Sequence, residues 1–290
     1  MTFPINSVVS TIRLCAVKGR NYVVVGTRHR MLAEATQSIG KGLSAWRIWA
    51  RLGWYDLLAR YRRSFIGPLW LILTLAFYTA ALSLVYSTLF KTDIEKFIPL
   101  VATGMLLWTL IAGALGEGPQ TFTESQEYIK QVRQPLFIYV CRVAWRHIVA
   151  FGHNFIVVII VVVLTKGWPG PVFLLAIPGW LLVVVNLLWL LLVLSILGAR
   201  FRDVQPIVNT LTQVVFFVTP IFWSVELLGS RKWIADLNPI YHLIEVVRAP
   251  LLGDVPSFIS YLAATLMTCG GWLVALYLFA RFRNRIIYWL

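Results

Sequence analysis

The sequence predicts an all-α integral membrane protein with six transmembrane helices. It adds an N-terminal interfacial amphipathic helix and short re-entrant helices on the outer, periplasmic side after the fifth span. Three observations carry this. Hydrophobic residues make up 59% of the chain and charged ones 13%, far from the roughly half-apolar, quarter-charged average of soluble domains. Six apolar runs, at 67–90, 97–115, 148–165, 172–197, 204–228 and 257–280, lie near the roughly 20 residues that a bilayer core requires. With both termini inside, 20 of the 26 Lys and Arg fall on the cytoplasmic side while the acids divide evenly. The whole net charge of +14 then faces inward, as positive-inside orientation demands. No nucleic acid is needed to explain the basicity. Thirteen Trp and eleven Tyr suit a chain with two water–lipid interfaces to line.

Residues 1–42 form a basic extension (Arg13, Lys18, Arg20, Arg28, Arg30, Lys41) with a β-prone patch at Tyr22–Val25. It is expected to be poorly ordered or packed on a partner. No apolar core of signal-peptide length precedes its arginines, so no cleavage is expected. Residues 43–65 read as the interfacial helix. Trp54, Leu57, Leu58 and Tyr61 fall at i, i+3, i+4 and i+7, with Asp56, Arg60 and Arg63 on the other face. Residues 66–290 hold the spans. At the junction, Arg60, Arg62 and Arg63 place guanidinium groups beside hydrocarbon, where they sit in the headgroup layer or on an anion. Pro68 disfavours helical geometry at Gly67 and suits the first turn of a new helix. The stretch is therefore either an orientation signal with an anchor or an anion-reading gate at the membrane surface.

The fifth run is interrupted by Pro220. Its intact part, 204–219, covers only about 24 Å at 1.5 Å per residue, so the chain is expected to bend near the far surface. Ile221–Trp223 and Leu237–Ile244 are too apolar for a free loop and too short to span twice. Re-entrant helices buried against protein satisfy both constraints.

The motifs of common chemistries are missing. There is no Walker A pattern, since Ala35 stands where a glycine is required before Gly40-Lys41, and no GxSxG or HExxH. Cys15, Cys141 and Cys269 are isolated, giving neither a disulfide framework nor a metal site. His147 and His153 are six apart and read as helix–helix or interfacial residues. Intramembrane acids are essentially absent, which argues against a proton relay. Whatever crosses is driven from outside the chain. The inner loop Glu117–Gln134 is the place for that drive. Glu117, Glu124 and Glu127 are acidic on a basic face, and Thr123–Tyr128 has helix formers. It is either a docking knob for a soluble partner or an ordinary solvated loop.

From about Trp54 to the C-terminus the chain resembles the permease subunits of type-2 ABC exporters for O-antigen, capsule and teichoic-acid polysaccharides. The resemblance rests on Arg60–Trp70, Tyr128-Ile129-Lys130-Gln131-Val132, Ala199-Arg200-Phe201-Arg202-Asp203-Val204, Thr219-Pro220-Ile221-Phe222-Trp223, and Leu237-Asn238-Pro239-Ile240-Tyr241 followed by Arg248. These stand in order on a six-span hydropathy. Arg133-Gln134-Pro135-Leu136 departs from the aromatic-Pro-Arg usual there, as does the long basic tail before Trp46.

The resemblance implies a homodimeric permease in a bacterial inner membrane, with two copies of a soluble ATPase that bind ATP and Mg. The chain itself holds no cofactor and is no enzyme. It implies ATPase coupling through Glu117, Glu124, Glu127, Tyr128 and Lys130, and a portal for undecaprenyl-diphosphate-linked glycan at Arg60, Arg62, Arg63, Ser64, Ile66 and Gly67. An outer gate falls at Pro220, Phe222, Trp223 and Tyr241. For the channel wall, Asn209, Gln213, Phe216 and Pro220 make a stripe on the fifth span, and Tyr78, Leu82, Val85 and Tyr86 a face on the first. Aromatic faces and amides suit sugar C–H surfaces and hydroxyls, though the same residues suit interhelical packing. The alternatives are a permease for another amphiphile or drug, and a membrane acyl- or glycosyltransferase. The latter needs a base or paired carboxylates, and Asp203, Glu245 and His242 are not grouped by spacing.

Overall fold

The computed structural model describes residues 20–62, 64–67 and 69–290, with residues 20–29 by backbone alone. Arg63 of the portal group and residues 1–19 of the basic extension lie outside these. Among the described residues all regular structure is helical. Five helical stretches are long and apolar enough to cross a membrane: Leu69–Phe90, Ile94–Gln120, Phe137–Lys166, Gly170–Arg200 and Phe258–Trp289.

Residues 20–42 do not remain an irregular extension. Helix α1 runs Arg20–Ser44 and takes in the Tyr22–Val25 patch; the helical penalty of Val is small, a few tenths of a kcal/mol. Ala35 and Ile39 are buried, α1 packs on the last helix and on α6, and Glu34 pairs with Arg283. Helix α2 (Trp46–Tyr61) follows a turn at Ala45. Its amphipathicity works in an unexpected sense. The charged side is the docked one, held by ion pairs to α6, with Trp49 edge-on to Trp145 at 5.7 Å. The Trp54–Tyr61 stripe instead faces a cleft.

Helix α3 (Leu69–Phe90) buries Leu75, Thr79, Ser83 and Ser87, one residue per turn, and leaves the rest largely uncovered. Helix α4 (Ile94–Glu117) is the most enclosed, because α3, α6 and α8 all pack on it. A short connecting segment between α4 and α6 carries α5 (Gln126–Gln131). Helix α6 (Phe137–Lys166) begins eleven residues before its apolar run and carries Arg142, Arg146 and His147 on that extra length. Helix α7 (Ala176–Arg200) makes its broadest contact with α11 (Phe258–Trp289).

The fifth apolar run is the one that does not form a helix long enough to cross a membrane, and it breaks where Pro220 is expected to break it. Helix α8 stops at Val218 after 15 residues, about 22 Å at 1.5 Å per residue. Thr219 turns extended at ψ 133° because Pro220 rejects a helical predecessor. The chain then folds back through a 3₁₀ stretch, Val225–Arg231, the single turn α9 (Trp233–Asp236) and α10 (Pro239–Leu251). Nearly all of α10 is buried, packed on α7, α11 and α4. Two glycines allow close seats here, Gly104 under Ile221 just after the bend and Gly179 under Val246 of α10. A Cβ on Gly104 would stand 2.6 Å from the Ile221 carbonyl oxygen, and one on Gly179 would collide with that of Val246.

Candidate functional site

At the end of the bundle where α4 stops and α6 begins, three elements meet in an ion-pair network. Arg142 clasps both oxygens of Asp56 at 2.5 and 2.6 Å, and Arg146 donates to Asp56 at 3.1 Å and to Glu117 at 2.8 Å. Glu117 also accepts from Arg60 at 2.8 Å and lies 3.1 Å from Nε2 of His147. These side chains are a quarter exposed or less, except Arg60, which is about half exposed. Charges so far from water persist only when paired. Asp56 and Arg60 come from α2, Glu117 ends α4, and Arg142, Arg146 and His147 belong to α6. The spacing of Arg142, Arg146 and His147 on one helical face was the available signal for this cluster. Acids 86 and 29 residues away along the chain could not be assigned to it without the fold.

Glu117 therefore sits apart from Glu124 and Glu127, which are exposed together with Tyr128 and Lys130. That connecting segment is held by Phe122 and Ile129, both buried. The Arg142 guanidinium also lies 5.9 Å from the Tyr128 ring centroid, in cation–π range. The exposed acids thus stand on an anchored base, one contact away from the network.

The loop between α2 and α3 turns at Gly67, whose φ of +61° is costly for other residues. The Gly67 N–H donates to Oγ of Ser64 at 3.0 Å, Ile66 is exposed, and Phe65 projects fully from the tip. Arg62 is exposed and has no ion pair among the described residues, unlike Arg60. Behind it opens an apolar cleft of about 660 Å³, lined by Trp54, Leu58, Tyr61, Arg62, Leu71 and His153 among others.

Leu71 also lines a second cleft, of about 760 Å³, between α3, α4, α6 and α8. Tyr78, Gln213 and Phe216 come together there, with Trp108, Thr212 and Asn154. Both volumes suit organic ligands, as do apolar walls with a few polar groups. Asn209 and Tyr86 lie outside that lining. Asn209 is one turn earlier on α8, accepting from Gln205 at 3.0 Å. Tyr86 is two turns further along α3, its ring 4.7 Å from that of Phe222. Phe216 bridges the two levels, 5.3 Å from Trp108 and 5.4 Å from Phe222. Trp108 and Asn154 went unnoticed in the sequence, since neither stands in a motif and both sit in ordinary apolar runs.

The segment after α8 is a polar knot inside apolar packing. The Asn238 side chain accepts from the N–H groups of Ile240 and Tyr241 and donates to Thr219 at 2.8 Å. Arg248 donates to the Pro220 carbonyl at 2.6 Å and pairs with Glu245 at the same distance. Pro220 and Phe222 are buried, and Trp223 and Tyr241 partly so. Burial and the nearby Glu245 carboxylate push the Tyr241 phenol up to about 12. His242 bonds the Asp236 carbonyl and Ser260, while Asp203 stands at the opposite end of α8. No carboxylate–histidine group capable of base catalysis forms from these three.

Residues 49–252 match the family described as ABC-2 type transporter. The chain is 24% identical over 197 residues to the O-antigen export system permease protein RfbA of Myxococcus xanthus, covering 67% of this chain and 76% of that protein. Two proteins of the same name from Klebsiella pneumoniae are 21% identical over 199 residues and 22% identical over 230. Those alignments cover 65% and 74% of this chain, and 74% and 86% of the relatives.

Proposed function

We propose, from the premise that this chain belongs to the ABC-2 type transporter family, that it is the permease subunit of an exporter carrying O-antigen-like polysaccharide on a polyprenyl diphosphate across a bacterial inner membrane. The observation that carries this is the paired clefts. An apolar one beside Arg62 suits a lipid anchor with its anionic head. One walled by Tyr78, Trp108, Phe216 and Gln213 suits sugar rings and hydroxyls. Aromatic faces and single amides hold such a polymer weakly at many points, as a moving substrate requires.

In this reading the substrate enters past Arg62 and Gly67, with Arg62 offering the planar fork that matches phosphate oxygens. It passes Gln213 and Phe216 and leaves by Phe222 and Tyr86. Helix α8 completes the sixth crossing together with Thr219–Trp223, and both termini face the cytoplasm. A soluble ATPase binds the exposed Glu124, Glu127, Tyr128 and Lys130, supplying the nucleotide and Mg chemistry. Two copies of the chain form the conduit, α3 leaving Phe77, Leu84, Val85 and Leu89 uncovered for a partner or lipid.

The direct test deletes the gene in its host and follows the glycan. Loss of surface polysaccharide, with lipid-linked glycan accumulating inside and restored export on complementation, is the expected result. Unchanged surface polysaccharide would remove the reading.

A further inference from the structure

The two clefts are neighbours, because α3 and α6 supply walls to both. On α6, Ala150 and His153 line the first cleft, and the very next residue, Asn154, lines the second. On α3, Leu71, Thr74, Leu75 and Tyr78 run i, i+3, i+4, i+7 along the second cleft, while Gly67, four residues before Leu71, lines the first. Among the described residues Leu71 alone belongs to both. It is partly exposed, so its side chain stands on the rim that the clefts share. The first residue that α3 buries is Leu75, one turn later. Leu71 is therefore not locked into the core, and it follows directly on the turn at Gly67.

We infer that Leu71 is the threshold between the clefts, the side chain over which the lipid–sugar junction of the substrate crosses and whose bulk decides whether glycan enters the second cleft. The inference rests on the reading of the clefts as lipid and glycan sites and adds the residue that divides them. A hydrocarbon anchor lies against leucine favourably on the Trp54 and Leu58 side, where the wall is apolar. The first sugar passes only when that side chain turns aside. Leucine offers no hydrogen bond to a hydroxyl or phosphate, so it holds neither, and volume alone sets the passage.

Capture and crossing should then separate. In the full complex in its producing host, with the lipid-linked glycan tritiated in its sugars, a photocrosslinker at Leu58 reports the first cleft and one at Thr109 the second. Both should form glycan adducts when Leu71 is intact. Leu71→Trp should keep the Leu58 adduct, lose the Thr109 adduct and cut export about ten-fold or more. Leu71→Ala should export at the wild-type rate or faster. If the Trp variant does not accumulate, Leu71→Cys serves in a background lacking the native cysteines, exporting normally until a bulky maleimide is attached after assembly. Wild-type export with a Thr109 adduct, in Leu71→Trp or in the modified Leu71→Cys protein, would overturn the threshold and leave the clefts standing. Loss of export in Leu71→Ala as severe as in Leu71→Trp would also overturn it, by making the leucine a packing residue. No adduct at either position with Leu71 intact would remove the reading of the clefts itself.

Discussion

Arg60 donates to Glu117 across 2.8 Å, which fastens the C-terminal end of α2 to the last residue of α4. One guanidinium of the arginine cluster is thereby committed to protein while Arg62 stays exposed. Of the two described arginines of a cluster that reads in sequence as either an orientation signal or an anion gate, one is a brace and the other has no ion pair among the described residues.

The brace predicts an asymmetry between its members. Glu117→Gln strips a carboxylate from Arg146 and leaves a largely buried cation half-paired. Removing one partner of such a pair costs about 3 kcal/mol or more. Arg60→Lys, at a half-exposed site, should cost under about 1 kcal/mol. Melting of the two purified variants separates the cases, and equal melting temperatures would mean the network contributes nothing.

Arg62 predicts a different phenotype. Arg62→Lys keeps the charge and so preserves orientation, but loses the planar two-pronged geometry. About 1–2 kcal/mol is lost per charge-assisted bond, or roughly ten-fold in substrate engagement for each 1.4 kcal/mol. The variant should insert normally and export poorly. Full surface polysaccharide at equal protein level would leave Arg62 an anchor only.

The inner segment predicts separable docking. Glu124→Lys with Glu127→Lys alters two exposed residues and should leave melting unchanged. The same change should weaken co-purification of the ATPase and uncouple its turnover from substrate. Undiminished binding would place the ATPase elsewhere.

Much of this was legible in the chain. Apolar run length located five of the spans, and the i, i+3, i+4 stripe of Trp54, Leu57, Leu58 and Tyr61 located α2. What those signals lack is depth. Periodicity separates two faces of α2 without saying which one is docked, and only the acids and bases of α4 and α6 settle it. Helix α8 ends where Pro220 announces it, whereas the tether of that bend, Arg248 to the Pro220 carbonyl, spans 28 residues. Asn154 and Trp108 carry no local pattern at all.

The outer knot predicts a local loss. Asn238→Ala removes a helix cap, worth about 1 kcal/mol, together with the Thr219 bond. Cysteine at exposed Ser230, in a background lacking the native cysteines, should label from the periplasmic side and faster once Asn238 is replaced. Cytoplasmic labelling would invert the proposed topology.

The seats of α10 on Gly179 and of Ile221 on Gly104 set the mechanics of this end of the bundle. Backbone pressed on backbone has no slack to slide, so α10 travels with α7, and Ile221 with α4. The aromatic contacts of Phe222 with Tyr86 and Phe216 have no directional bonds to break and can exchange neighbours at little cost. In the proposed reading, opening at this end is a rearrangement of rings along α3 and α8 against a fixed wall, and stiffening those rings should slow release while leaving uptake intact.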